Sequence, residues 1–240
     1  MSMISVIIPT YQEAARIGAC VRAARSWADE VIVVDAGSSD GTAQLAAAEG
    51  ARVLTAPKGR GVQLHAGALA ASGELLVFLH ADAEIGAGAR TALLRCLEHA
   101  EVVGGNFRLV FDGQTACARV FTLANDLRRR LLRIYYGDSV LFMRRAVYEA
   151  LGGFEPLPIF EDYALIRRLE RYAAGRTTYI RDVEVRVSAR RFERAPLRTL
   201  VGWACLQALY SFANVHPERL ARWYADIRSD ADRCQPPPHT

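Results

Sequence analysis

Short apolar runs alternate with longer stretches of mixed character through the first hundred residues. Ser5–Ile8, Glu30–Val34, Arg52–Leu54 and Glu74–Leu79 are rich in branched or aromatic residues and bounded by turn formers, so each predicts a strand. Between them Ala14–Ser26, Thr42–Glu49 and Gly61–Ala71 have helical composition and enough length for a crossover. This alternation predicts an α/β fold with a Rossmann-like, mostly parallel sheet flanked by helices. In such sheets ligands bind beyond the carboxyl ends of the strands. That singles out Pro9–Glu13, Asp35–Asp40, Pro57–Gly61 and His80–Asp82.

Later the pattern is less regular. Ala87–His99 predicts a helix, Val102–Phe111 a longer strand and Ala116–Tyr135 a helix. A short run, Ser139–Met143, precedes a helix over Arg144–Leu151, the turn Gly152-Gly153 and a helix from about Asp162 to Ala174. Thr177–Ile180 and Glu184–Ser188 suggest a hairpin turning at Arg181-Asp182. Leu200–Val215 is apolar but shorter than the roughly 20 residues that cross a bilayer. A helix packed on the domain is expected there, with in-plane membrane contact as the alternative. With 240 residues, a single domain over 1–230 and a disordered, proline-rich tail over 231–240 are expected.

Composition narrows the class. Hydrophobic residues are 51% and charged residues 23%, which excludes a disordered or fibrous chain. The net charge of +4 is unevenly spread: residues 1–120 carry 10 basic and 12 acidic side chains, residues 121–240 carry 20 and 14. The basic half suits phosphate groups or an anionic membrane surface, but no nucleic-acid-binding module is present and nucleic acid is not an expected partner. Five scattered cysteines without a C-x-x-C pair argue against a disulfide framework or zinc site. Together with a start that lacks signal-peptide character, they lead to an expected cytoplasmic location.

Two strand ends carry chemistry. Asp35 closes an apolar run and opens a Gly/Ser turn, a position suited to hydrogen bonding a base or ribose, whereas Asp40 suits a helix N-cap. In His80-Ala81-Asp82 the outer two side chains point to the same side. A single carboxylate there, completed by diphosphate oxygens and water, is an ordinary site for Mg2+ or Mn2+. Neither G-x-G-x-x-G nor G-x-x-x-x-G-K-[ST] occurs, which weakens a dehydrogenase or phosphotransferase.

The blocks Ser5-Val6-Ile7-Ile8-Pro9-Thr10-Tyr11-Gln12-Glu13, Val33-Val34-Asp35-Ala36-Gly37-Ser38-Ser39-Asp40-Gly41-Thr42 and Val77-Phe78-Leu79-His80-Ala81-Asp82 together resemble the family 2 glycosyltransferases. The resemblance continues through Lys58–Gln63, Gly152-Gly153-Phe154 and Glu161-Asp162, so it covers roughly residues 4 to 192. It is strongest to a small cytoplasmic subgroup with a His-Ala-Asp block and a Ser-Ala-Arg-Arg-Phe segment, here Ser188–Phe192.

The resemblance implies a GT-A fold and inverting, metal-dependent transfer from a nucleoside diphosphate sugar, with UDP favoured, to a small-molecule or lipid-linked acceptor. The nucleotide-binding half would be about 1–100 and the acceptor side about 101–230. Pro9, Thr10, Tyr11 and Glu13 match the first nucleotide-contacting loop, Asp35 the carboxylate that reads the base, and Arg60 a basic residue near the nucleotide. Ala81 and Asp82 match the metal block, with Asp82 the ligand of Mg2+ or Mn2+ and His80 where the family usually has Asp. Asp162 matches the catalytic base, and Phe154 the aromatic beneath donor sugar and acceptor. Arg190-Arg191-Phe192 resembles the end of a processive motif whose leading Gln is missing, against polymer synthesis. A silent nucleotide-sugar-binding protein would share the fold, but the presence of both Asp82 and Asp162 favours the enzyme.

Ala118–Tyr136 places Val120, Leu123, Leu127, Leu131 and Ile134 at helical spacing near Arg128, Arg129, Arg130 and Arg133. The apolar residues suit either core packing or a peripheral contact with the inner face of a membrane.

Overall fold

The computed structural model describes residues 3–112, 115–172, 174–188, 196–211 and 215–223. In chain order the elements are β1 (Ile4–Thr10), α1 (Ala14–Arg25), β2 (Glu30–Asp35), α2 (Thr42–Ala48), β3 (Arg52–Thr55), α3 (Arg60–Ala70), β4 (Leu75–Phe78) and β5 (Glu84–Ile85). There follow α4 (Ala89–Glu98), β6 (Val102–Asp112), α5 (Ala116–Leu132), a 3-10 turn (Gly137–Ser139), β7 (Leu141–Arg144), α6 (Arg145–Ala150), α7 (Glu161–Glu170), β8 (Arg176–Ser188) and α8 (Pro196–Ser211).

The strands form one sheet in the order β3-β2-β1-β4-β7-β6-β8-β5. β3, β2, β1 and β4 run parallel, and β7 is antiparallel to both β4 and β6. The period-two pattern of a strand buried on both faces is plain in β1. Val6 and Ile8 join a cluster with Ile17 and Val21 of α1 and Leu93 of α4, whereas Ile7 joins Leu64 of α3 and Leu165 and Leu169 of α7 on the opposite face. α3 lies so close to β1 that a Cβ on Gly67 would run into the Ile7 side chain. Pro9 falls beyond the last rung between β1 and β4, Ile7 opposite Phe78, so its missing N–H removes no ladder bond there.

The expected hairpin is a single strand. β8 runs parallel to β6, with Phe107 opposite Ile180 and then Arg108 opposite Glu184, so Arg181, Asp182 and Val183 form a bulge. β6, at 11 residues, is long enough to pair with both halves in one direction. Asp182 in the bulge ion-pairs with Arg95 of α4.

α5 also departs from expectation. It ends at Leu132 because Arg133 takes a left-handed conformation (φ 54°). Ala118 and Phe121 pack on the core, but Val120, Leu123, Leu127 and Leu131 are 50 to 70% exposed. No helix among the described residues is long and apolar enough to cross a membrane. The Ser-Ala-Arg-Arg-Phe segment beyond Ser188 and the expected disordered tail lie outside the described residues.

Candidate active site

Parallel pairing brings the carboxyl ends of β1 and β2 level, with Thr10 opposite Asp35. The loops beyond them are stitched together. Gln12 N–H donates to Ser38 Oγ at 2.9 Å, Glu13 N–H to Thr42 Oγ1 at 2.9 Å and Ala14 N–H to Asp40 Oδ2 at 3.0 Å. Asp40 therefore clamps the first loop; the α2 N-cap is Gly41, in the left-handed conformation. Gln63 of α3 reaches under both strands, donating to the carbonyls of Thr10 (2.9 Å) and Val34 (2.8 Å).

Asp35 is buried and fully engaged. One carboxylate oxygen accepts from Thr10 Oγ1 (3.1 Å) and Ser38 Oγ (2.6 Å), the other from the N–H groups of Gly37 (2.9 Å) and Ser38 (2.7 Å). Its first task is to shape the turn after β2. Thr10 is buried with it, so Tyr11, Gln12 and the half-buried Glu13 are the side chains of the first loop with outward reach. Tyr11 is 43% exposed, and the Lys58 ammonium lies 3.6 Å from its ring centroid.

Beyond β4, Ala81 turns its methyl into the core while Asp82 is exposed. Partial burial, with Asp82 and Asp40 nearby, raises the Glu13 carboxyl above its ordinary value. Burial, with Asp82 and Glu13 nearby, pushes the Cys20 thiol up to about 12. A local excess of negative charge of this kind fits a divalent cation. Among the described residues no three His, Cys, Asp or Glu side chains gather tightly enough to hold an ion alone, so Asp82 would need phosphate and water oxygens beside it.

A second cluster is built around Gly137. Its N–H donates to Asp162 Oδ2 at 2.7 Å, and a Cβ there would lie 3.1 Å from both that oxygen and His80 Nε2. The missing side chain lets the strand-end histidine and the α7 carboxylate share one space. Asp162 is the second residue of α7, and its other oxygen accepts from the Tyr163 N–H at 2.7 Å. Both oxygens of this buried carboxylate are thus engaged by backbone N–H groups. Arg60, at the start of α3, ion-pairs with buried Glu161 and lies 3.8 Å from Asp162 Oδ2. Desolvation opposes the charge of Arg60, but Asp162 and Glu161 outweigh it and raise its pKa. Burial raises Glu161 as well. Burial and then Arg60 push His80 down to about 4, so at neutral pH it is an uncharged hydrogen-bonding ring.

Asp138 was not singled out by its sequence context. Burial pushes its carboxyl up to about 6, with the charges of Arg128, Asp162 and Arg60 all acting on it. A Gly-Asp-Ser turn has no periodic signal, and only the return of the chain to β7 brings it beside α7. Phe154 corrects another expectation: it is buried edge-to-face against Phe78 with centroids 4.9 Å apart, where it supports β4 from within the core.

A mixed sheet of this order, flanked by helices, with the loops beyond its strands and the acidic pair of α7, is a fold of the GT-A type. The Glycosyl transferase family 2 model matches residues 5–151, and the chain belongs to that family. An uncharacterised glycosyltransferase of Mycobacterium tuberculosis is 36% identical over 175 residues, 72% of this chain and 80% of that one. Glycosyltransferase AglE of Haloferax volcanii is 30% identical over 174 residues, 64% of this chain and 56% of its own. Among solved structures, glucosyl-3-phosphoglycerate synthase from Mycobacterium tuberculosis, in complex with Mn2+, UDP-glucose and phosphoglyceric acid, superposes with a TM-score of 0.56. Its identity is 22%, over 78% of this chain and 71% of that one.

Proposed function

We propose that the chain moves a sugar from a UDP-sugar to a hydroxyl of a small-molecule or lipid-linked acceptor, with inversion and with help from Mg2+ or Mn2+. The observation that carries this reading is the meeting of His80 and Asp162 at Gly137, at the junction of the nucleotide and acceptor sides. The similar mycobacterial synthase was solved with UDP-glucose and Mn2+, and with UDP and Mg2+.

In this reading Pro9, Thr10, Tyr11, Glu13 and Asp35 frame the nucleotide. The exposed face of Tyr11 is offered to the base, and the framework is kept rigid by the Asp35 turn. Ala81 contributes backbone only. Arg60 stands near the diphosphate, and Asp82 holds the cation. When bound, the cation would offset the charge of the departing diphosphate.

Asp162 is the general base. The acceptor hydroxyl gives its proton to the carboxylate while its oxygen attacks the anomeric carbon, and the bond to the diphosphate breaks with its electron pair leaving on the phosphate oxygen. The Gly137 N–H and Arg60 fix the carboxylate for this step. Neutral His80 can direct a hydrogen bond into the same space without competing for that proton.

Calorimetric donor titration beside a transfer or donor-hydrolysis assay tests the reading. Asp82→Asn should weaken metal-dependent UDP-sugar binding about tenfold or more. Asp162→Asn should keep donor affinity while turnover falls about 100-fold. Near-normal turnover in Asp162→Asn would remove it as the base, and donor binding indifferent to chelator would remove the metal.

A further inference from the structure

α5 exposes an apolar stripe on the side turned away from the sheet. Beside Ala118 and Phe121, which pack on the core, its inward face is polar: Arg129 donates from Nε to Asn106 Oδ1 at 2.6 Å and lies 3.5 Å from Glu170, while Asp126 accepts from the Tyr179 hydroxyl at 2.9 Å. Its outward face is apolar, with Val120 65%, Leu123 67%, Leu127 50% and Leu131 70% exposed. At 100° per residue these four fall within about 80° of one another, a continuous stripe rather than scattered residues. Arg119 and Arg130 are exposed along one edge of it. The only acid of the helix, Asp126, is buried.

The C-terminal end of the helix adds a second feature. A groove of about 330 Å³ lies there, with Leu132, Ile134 and Ile166 on its walls beside Arg133, Arg167 and Arg171. Its one acid, Glu170, is already shared between Arg129 and Arg133. The groove therefore keeps a positive excess beside an apolar lining, a combination suited to the phosphate and upper chain of an amphiphile.

We propose that the Val120–Leu131 stripe seats the chain on an anionic phospholipid bilayer, with the Arg133, Arg167 and Arg171 groove taking a lipid phosphate. A second copy of the chain is a poorer occupant. In an antiparallel two-fold contact across the stripe the Arg119 and Arg130 edges of the two copies would face each other as like charges, whereas lipid phosphates complement them. The inference goes beyond the donor chemistry and stands or falls apart from it.

Co-sedimentation of the full chain with phosphatidylcholine vesicles, with and without phosphatidylglycerol, tests it. The chain should pellet with the anionic vesicles at low ionic strength and be released by salt. Arg119→Ala and Arg171→Ala should each weaken partitioning about fivefold. Leu123→Asp combined with Leu127→Asp should weaken it about tenfold or more, with an unchanged unfolding midpoint and unchanged donor hydrolysis without vesicles. Leu123→Gln with Leu127→Gln is a gentler variant with the same expected direction. Absence of binding at low ionic strength, or equal binding to neutral vesicles, would overturn the proposal. So would a dimer in sedimentation analysis that the leucine variants abolish.

Discussion

Replacing Asp138 by Asn should stabilise the folded chain at neutral and mildly alkaline pH. The carboxyl is pushed from an ordinary 3.8 to about 6, chiefly by burial, so the folded state holds its proton more tightly than the unfolded state does. The wild type has the full benefit of that preference below pH 4 and loses it as pH rises through about 6. At about 1.4 kcal/mol per pH unit, the ionised carboxylate costs up to about 3 kcal/mol above pH 7. The nearly isosteric amide avoids that cost. In a domain of this size, about 3 kcal/mol corresponds to a melting temperature higher by about 6 °C or more. Unfolding in urea should be followed from pH 4 to pH 8 in wild type and variant. The two should diverge progressively as pH rises through about 6. A constant offset at every pH, or a variant less stable at pH 8, would show that burial is not acting on the charge of this group. A stabilised variant with reduced transfer would further mean that Asp138 is held in a costly state for the sake of the site.

Two other perturbations separate framework from chemistry. Gly137→Ala puts a methyl 3.1 Å from both Asp162 Oδ2 and His80 Nε2, so transfer should fall about tenfold or more while donor affinity measured by calorimetry is nearly kept. Unchanged turnover would mean that the shared space is not where the acceptor reacts. Asp35→Ala removes a four-bond acceptor and should cost about 3 kcal/mol in urea unfolding. Asp35→Asn should cost much less, because the Thr10 and Ser38 hydroxyls can turn to accept from the amide. A stable Asp35→Asn protein with lost donor affinity would establish that the donor reads this carboxylate directly.

The first half of the fold was legible because β1, β2 and β4 are buried on both faces and leave uninterrupted apolar runs such as Ser5–Ile8 and Leu75–Phe78. The strand-end rule then led to the segments Pro9–Glu13, Asp35–Asp40, Pro57–Gly61 and His80–Asp82, within which only the family resemblance picks out Tyr11 and Glu13. The β8 bulge was not legible, since turn formers at Arg181-Asp182 do not reveal that β6 continues alongside. Nor was the outward stripe of α5: periodicity identifies an apolar face but not the direction in which it points. Asp138 and Gly137 escaped for a third reason. Their role depends on two chain segments converging on α7, and local sequence does not encode that convergence.

The charge balance of the site bears on how a donor could enter it. At the start of α7 Arg60 serves both Glu161 and Asp162, and Glu161 and Asp138 are both pushed toward their neutral forms. Beyond β1 Glu13 is pushed the same way by its surroundings, which include Asp82 and Asp40. His80, lying between these groups, is too low in pKa to carry positive charge at neutral pH. A diphosphate brought into this space alone would add negative charge where three carboxyls already resist ionisation. Lys58 and Arg60 cannot cancel it, since one lies over Tyr11 and the other is engaged by the α7 acids. A divalent cation arriving with the diphosphate reverses the balance. It would lower the cost of ionising Glu13 and leave Arg60 to fix Asp162. The expected metal dependence therefore rests on the electrostatics of this chain's own residues, and the departure of His80 from the usual aspartate limits an acidic excess that a second carboxylate would deepen.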